Sequence, residues 1–181
     1  MRCQRNGHAD STAGLMDGFS RPATLDDLKT LLRSLNEQGA QYLLVGGYAL
    51  AAHGYQRATT DIDIVVPADR ESGARLCKAL MVLPDGAARD ILPEWFDEGE
   101  NIRVADAFVV DVLFSANGQD FNALSAYRET IDLDGIAVHT ISLEGLLLTK
   151  QTARAQDVGD RQILERALEH LRKDPKPYSK P

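Results

Sequence analysis

Two carboxylates spaced two residues apart are the first groups in this chain that can do chemistry. Asp61 and Asp63 stand in the run Asp-Ile-Asp-Ile-Val-Val, and residues i and i+2 of a β-strand project from the same face. Two negative charges held that close in an apolar strand either raise one another's pKa or recruit a cation. A hard, oxygen-seeking ion such as Mg²⁺ relieves the repulsion directly. A third carboxylate, Asp111, interrupts the run Phe-Val-Val-Asp-Val-Leu-Phe. If its strand lies beside the first, Asp61, Asp63 and Asp111 converge as the metal ligands and catalytic residues of two-metal phosphoryl transfer. Asp111 is then the candidate base or the ligand nearest the nucleophile. The alternatives for it are a surface position on a half-solvated sheet face or a partner for a nearby Arg.

Upstream, Val45-Gly46-Gly47 joins an apolar run to an Ala-rich one. Glycines there allow close backbone approach to a ligand, and the amides opening a helix near Tyr48 favour a phosphate. Arg57 and Thr60, next to the carboxylates, either contact phosphate or brace the loop. His53 reads as a packing or hydrogen-bonding residue, since no second His or Cys lies at metal spacing.

The elements that must position these groups follow from periodicity. Thr24 caps a helix carrying Asp26 and Asp27 in its first turn and a stripe of Leu25, Leu28, Leu32 and Leu35, ended by Gly39. QYLLVGG is a short apolar run suited to a buried strand, YALAAHGY a short helix closed by Gly54, and RATTDIDIVVP a strand terminated by Pro67. Helical period resumes over 68–82 through Gly73, Leu76, Cys77 and Leu80. Residues 83–100 form a loop-rich excursion in which Trp95 and Phe96 act as an apolar anchor or stack on a base. NIRVAD and AFVVDVLF are strands, and IDL and IAV flank the hairpin turn Asp134-Gly135. Helical segments follow from Ser142, SLEGLLLTKQTARAQ and then a stretch with Leu164, Ala167, Leu168 and Leu171 at core spacing.

The layout is a mixed α/β (α+β) domain with a small helical C-terminal unit. The expected divisions are a mobile extension over 1–22, a core over 23–140, the helical unit over 141–173 and a disordered Pro- and Lys-rich tail over 174–181. With 181 residues, 44% hydrophobic and 26% charged, the chain can bury a real core. A formal charge of −7 argues against broad phosphate-backbone binding. Cys3 and Cys77 offer neither a disulfide framework nor a zinc spacing. No run suits a membrane helix or signal peptide, so a cytoplasmic location and no membrane partner are expected.

LLVGGYALAAHGYQRATTDIDIVV closely resembles the signature of the DNA polymerase β nucleotidyltransferase superfamily, a Gly-Gly or Gly-Ser turn followed by Asp-x-Asp. Within it, His53, Gly54, Arg57, Thr60, Asp61 and Asp63 are similar to a pattern in small bacterial proteins related to abortive-infection nucleotidyltransferase toxins. LLLTKQTARAQDVGDRQIL looks like that group's later helix, with Lys150, Arg154, Asp157 and Asp160. The resemblance implies a nucleotidyltransferase-fold mixed sheet with flanking helices and metal-dependent transfer of a nucleoside monophosphate. The NTP is the donor, and the acceptor is a hydroxyl of tRNA, a protein or a small molecule. It further implies two Mg²⁺ ions, with Mn²⁺ as a substitute, Gly46 and Gly47 at the triphosphate, and Lys150 reaching the nucleotide. For Lys150 the alternative is a solvated or helix-capping lysine. As the toxin of a toxin–antitoxin pair, the protein would also have an antitoxin partner. The competing readings are a catalytically degenerate domain that binds a nucleotide or partner, and a glycosyltransferase, for which the chain before Asp61 is too short.

Overall fold

Helix α1 (Leu25–Glu37) starts where its cap places it. The Thr24 hydroxyl accepts the Asp27 amide while the Asp27 carboxylate accepts the Thr24 amide at 2.8 Å, a reciprocal capping box. Leu28, Leu31, Leu32 and Leu35 are buried. Leu25, expected in that stripe, is 49% exposed and Leu31 takes its place, because the first residue after the cap faces solvent rather than the sheet. The structure, a computed structural model, describes residues 3–5, 20–55 and 58–173.

The strands are β1 (Cys3–Arg5), β2 (Leu43–Val45), β3 (Asp61–Val65), β4 (Ile102–Ala105), β5 (Val109–Leu113), β6 (Ser115–Ala116), β7 (Gln119–Asp120), β8 (Arg128–Leu133) and β9 (Ile136–Ile141). Seven of them form one mixed sheet in the order β1-β4-β5-β3-β2-β9-β8, and β6 and β7 make a separate ribbon. β3 runs antiparallel to β2 and parallel to β5, while β4 and β5 form an antiparallel hairpin. The β8–β9 hairpin turns through Asp134 and Gly135, both at positive φ, as the Asp-Gly pair requires. Its strands are twice the length that IDL and IAV suggested.

Helices α2 (Gly46–Ala52), α3 (Arg70–Leu80), α4 (Phe121–Ser125), α5 (Leu143–Thr149) and α6 (Ala155–Lys173) complete the fold. α1 packs on α3 and β9, α2 on β3 and α5, and α5 on α6. Ile62 and Ile64 are fully buried, so the pleat turns Asp61 and Asp63 to the opposite, half-buried face of β3. The loop-rich segment after α3 folds into two short 3₁₀ turns, Ala87–Asp90 and Pro93–Glu98. Phe96 from the second is buried against α3 at Gly73, where a Cβ would fall 2.6 Å from its ring.

Three expectations need correction or extension. Cys3–Arg5, inside the expected mobile extension, pairs as an edge strand, and the Arg21 amide donates to Ala107 O at 2.9 Å. Most of that extension, and the tail over 174–181, lie outside the described residues. The helix expected through SLEGLLLTKQTARAQ breaks over 150–154, between α5 and α6. Leu171, expected in the core, is 46% exposed, because α6 outruns the surface it packs on, while Leu164, Ala167 and Leu168 are buried.

Candidate active site

The parallel pairing of β3 with β5 sets Asp63 directly beside Asp111 in register, with Asp61 one pleat away on the same face. One carboxylate oxygen from each of Asp61, Asp63 and Asp111 lies within 4.8 Å of the others. All three side chains are half-buried. The strand pairing on which the convergence depended is present, and the three carboxylates come together.

Gly46 makes room for this cluster. It takes φ +67° at the start of α2, and a Cβ there would sit 2.1 Å from Asp63 Oδ2. Any side chain would therefore displace the carboxylate as well as strain the backbone. Gly47 is buried in the first turn of the same helix. Thr59 and Thr60 approach Asp61 at the strand entry, each hydroxyl 3.5 Å from Asp61 Oδ1. Arg57 lies outside the described residues. His53 takes the hydrogen-bonding role among those expected of it, its Nε2 lying 2.8 Å from Ile141 O.

Asp63 and Asp111 open onto a cleft of about 690 Å³ whose wall includes Arg103, Asn117, Lys150, Thr152, Arg154 and Asp157. The β6–β7 ribbon is tied to α5 there, the Asn117 side-chain amide donating to Leu148 O at 2.9 Å. The break between α5 and α6 therefore brings the element resembling the later family helix to the carboxylates. Trp95 and Phe96 do not line this cleft.

Lys150 faces the cleft but is already engaged, its Nζ 3.1 Å from both Asp157 Oδ1 and Asp160 Oδ2. Burial pushes the Asp157 carboxyl up, but the Thr152 hydroxyl and the Lys150 ammonium outweigh it and hold the group below the usual carboxylate range. This lock pins the start of α6 to the end of α5.

Sequence reasoning named no site role for Arg103. It stands opposite Asp111 in the β4–β5 hairpin, and its Nη1 lies 2.8 Å from Asp111 Oδ2 and 3.1 Å from Oδ1. The signal was present, since Arg103 and Asp111 are symmetric about Ala107, so a hairpin turning there pairs them. The nearby-Arg alternative for Asp111 and its place in the carboxylate cluster both hold.

No protein-family model matches the chain, and no curated protein sequence matches it. Solved structures do match. One described as a nucleotidyltransferase, from Thermotoga maritima, aligns with TM-score 0.50 and 16% identity over 82% of this chain and 92% of its own. The antibiotic-resistance factor ANT(2'')-Ia aligns with TM-score 0.51 and 15% identity, covering 81% of this chain and 87% of its own. The lincosamide antibiotic adenylyltransferase LnuA, bound to lincomycin, gives TM-score 0.52 and 16% identity over 80% and 98%. The chain has the nucleotidyltransferase fold. In this nucleotidyltransferase fold the strand pairing, not any local motif, brings Asp111 to Asp61 and Asp63. Among the described residues, no helix is long and apolar enough to cross a membrane.

Proposed function

We propose that the protein is a divalent-metal-dependent nucleotidyltransferase that moves a nucleoside monophosphate from an NTP to a hydroxyl acceptor, with release of pyrophosphate. The observation that carries this reading is the in-register Asp63–Asp111 pair with Asp61 beside it, opening on a cleft large enough for a nucleotide. The donor set fits the metal. Three carboxylate oxygens suit Mg²⁺ or Mn²⁺ rather than a thiophilic ion, and the missing Cβ of Gly46 makes the room that Asp63 Oδ2 occupies beside the cleft.

Asp61, Asp63 and Asp111 would hold the ions. Bound there, divalent ions supply charge neutralisation at the transferring phosphoryl group and lower the pKa of the attacking hydroxyl. The chain's own contribution is positioning: β3 and β5 fix the carboxylates, the Thr60 hydroxyl approaches Asp61, and Gly46 and Arg154 line the cleft that would receive the phosphates. Lys150, held by Asp157 and Asp160, orders the cleft wall, and the third N–H of its ammonium would be the one that reaches the nucleotide.

Labelled NTPs with purified protein, Mg²⁺, and RNA, protein or aminoglycoside acceptors test the reading and identify the acceptor. Asp61→Asn and Asp63→Asn should each lower transfer and Mg²⁺-dependent NTP binding by a hundredfold or more. Unchanged activity in either variant refutes it. Two of the similar folds are named for antibiotic resistance or antibiotic adenylylation, so antibiotics belong among the small acceptors tried. The toxin role and an antitoxin partner rest on the resemblance in the sequence and are tested by growth arrest on expression.

The Arg103–Asp111 ion pair favours one second reading, a domain that binds nucleotide without turnover because an internal cation occupies the third carboxylate. Tight ATP·Mg²⁺ binding with no pyrophosphate release would select it.

A further inference from the structure

Three clustered carboxylates carry three negative charges, and the structure supplies part of the compensation itself. Arg103 projects from β4 onto the carboxylate face, with one guanidinium nitrogen touching both oxygens of Asp111. Its side chain is 32% exposed and that of Asp111 16%, so the pair is shielded but reachable from the cleft. Lys150, the other cation on this wall with short ion pairs, is committed to Asp157 and Asp160. With Arg103 offsetting one charge, the three ionised aspartates present a net charge of −2, which a single divalent ion balances.

We propose that Arg103 is a built-in counter-ion that competes with divalent metal for Asp111, limiting the site to one tightly bound ion until Arg103 is drawn away. This rests on the metal-dependent reading above and adds a regulator to it. A guanidinium and a divalent ion both bind carboxylate oxygens, and a cation already at both oxygens of Asp111 repels a second positive charge placed beside it. A polyanionic ligand entering the cleft gives the guanidinium another partner and frees Asp111. Arg103 is in this sense a positioning residue, acting through Asp111.

Mn²⁺ binding to the full-length protein without nucleotide, followed by electron paramagnetic resonance, tests the inference. Wild type should bind one ion tightly. Arg103→Gln should bind a second ion or hold the first at least tenfold more tightly. Equal stoichiometry and affinity in a folded Arg103→Gln variant overturn the proposal. If that variant fails to fold, the Arg103 guanidinium resonances of the wild type, assigned against Arg103→Lys, give a second measurement. They should shift on titration with Mg²⁺ but not with Na⁺ at matched ionic strength, and unmoved signals overturn the proposal. Asp61→Asn separates the two levels: Mn²⁺ binding that it leaves intact places the ion elsewhere and sinks the metal-dependent reading together with the proposal. Binding that it abolishes, with no effect of Arg103, sinks the proposal alone.

Discussion

Gly46 answers two demands with one missing atom. Its positive φ turns the chain from β2 into α2, and the space where a Cβ would stand is filled by Asp63 Oδ2. Gly46→Ala should therefore cost about 1–3 kcal/mol in stability and weaken Mg²⁺ binding together with it. Chemical denaturation and metal titration check both, and a variant that loses stability while keeping metal affinity would show that Asp63 can move aside. The sequence suggested glycine here for approach to a phosphate; the structure adds approach to a carboxylate. Asp61 and Asp63 were legible because strand alternation needs only local information. Arg103 was not singled out because its partner depends on where the β4–β5 hairpin turns.

Elements are also held to one another by polar clasps. Asp106, 1% exposed, accepts the amides of Asp85, Ala87 and Ala107 at 2.8–2.9 Å, joining the loop after α3 to the β4–β5 turn. Asp106→Ala leaves those donors without that acceptor and should destabilise the protein by about 3 kcal/mol, measurable as a lowered denaturation midpoint; Asp106→Asn should recover part of the loss. At α1, the Arg21 guanidinium, with help from Thr24 and against a smaller effect of burial, holds the Asp27 carboxyl well below the usual range. Its stabilising contribution is complete above the unfolded-state value near 4 and is lost as pH falls through the lower folded value. The stability difference between wild type and Asp27→Asn should be constant from pH 5 to 7 and shrink steadily below pH 4. Helix periodicity and the Thr24 cap were readable from the sequence. The break between α5 and α6 was not, because no Gly or Pro marks it and the grip of Asp157 and Asp160 on Lys150 that accompanies it forms only once the chain has turned there.

At the scale of the whole molecule, sequence order and spatial order diverge. The Gly-Gly turn and Asp-x-Asp were enough to suggest the nucleotidyltransferase fold, but not the arrangement of strands around it. β2 and β3 form one antiparallel pair and β4 and β5 another, and the two meet along the parallel β3–β5 line. Asp61 and Asp63 stand on one side of that seam and Asp111 on the other. A divalent ion would thus act as a clamp between two halves that no turn connects directly, stabilising the folded chain by its binding free energy. At a hundredfold excess over its dissociation constant, Mg²⁺ added to Arg103→Gln, in which Asp111 is released from the guanidinium, should raise the melting temperature by roughly 5–10 °C, and adding Asp111→Asn should remove most of that gain in calorimetry. Parallel pairing of distant segments is slow to form, so the same seam makes assembly of the three carboxylates a late product of folding: during synthesis Asp61 and Asp63 emerge early and wait for Asp111.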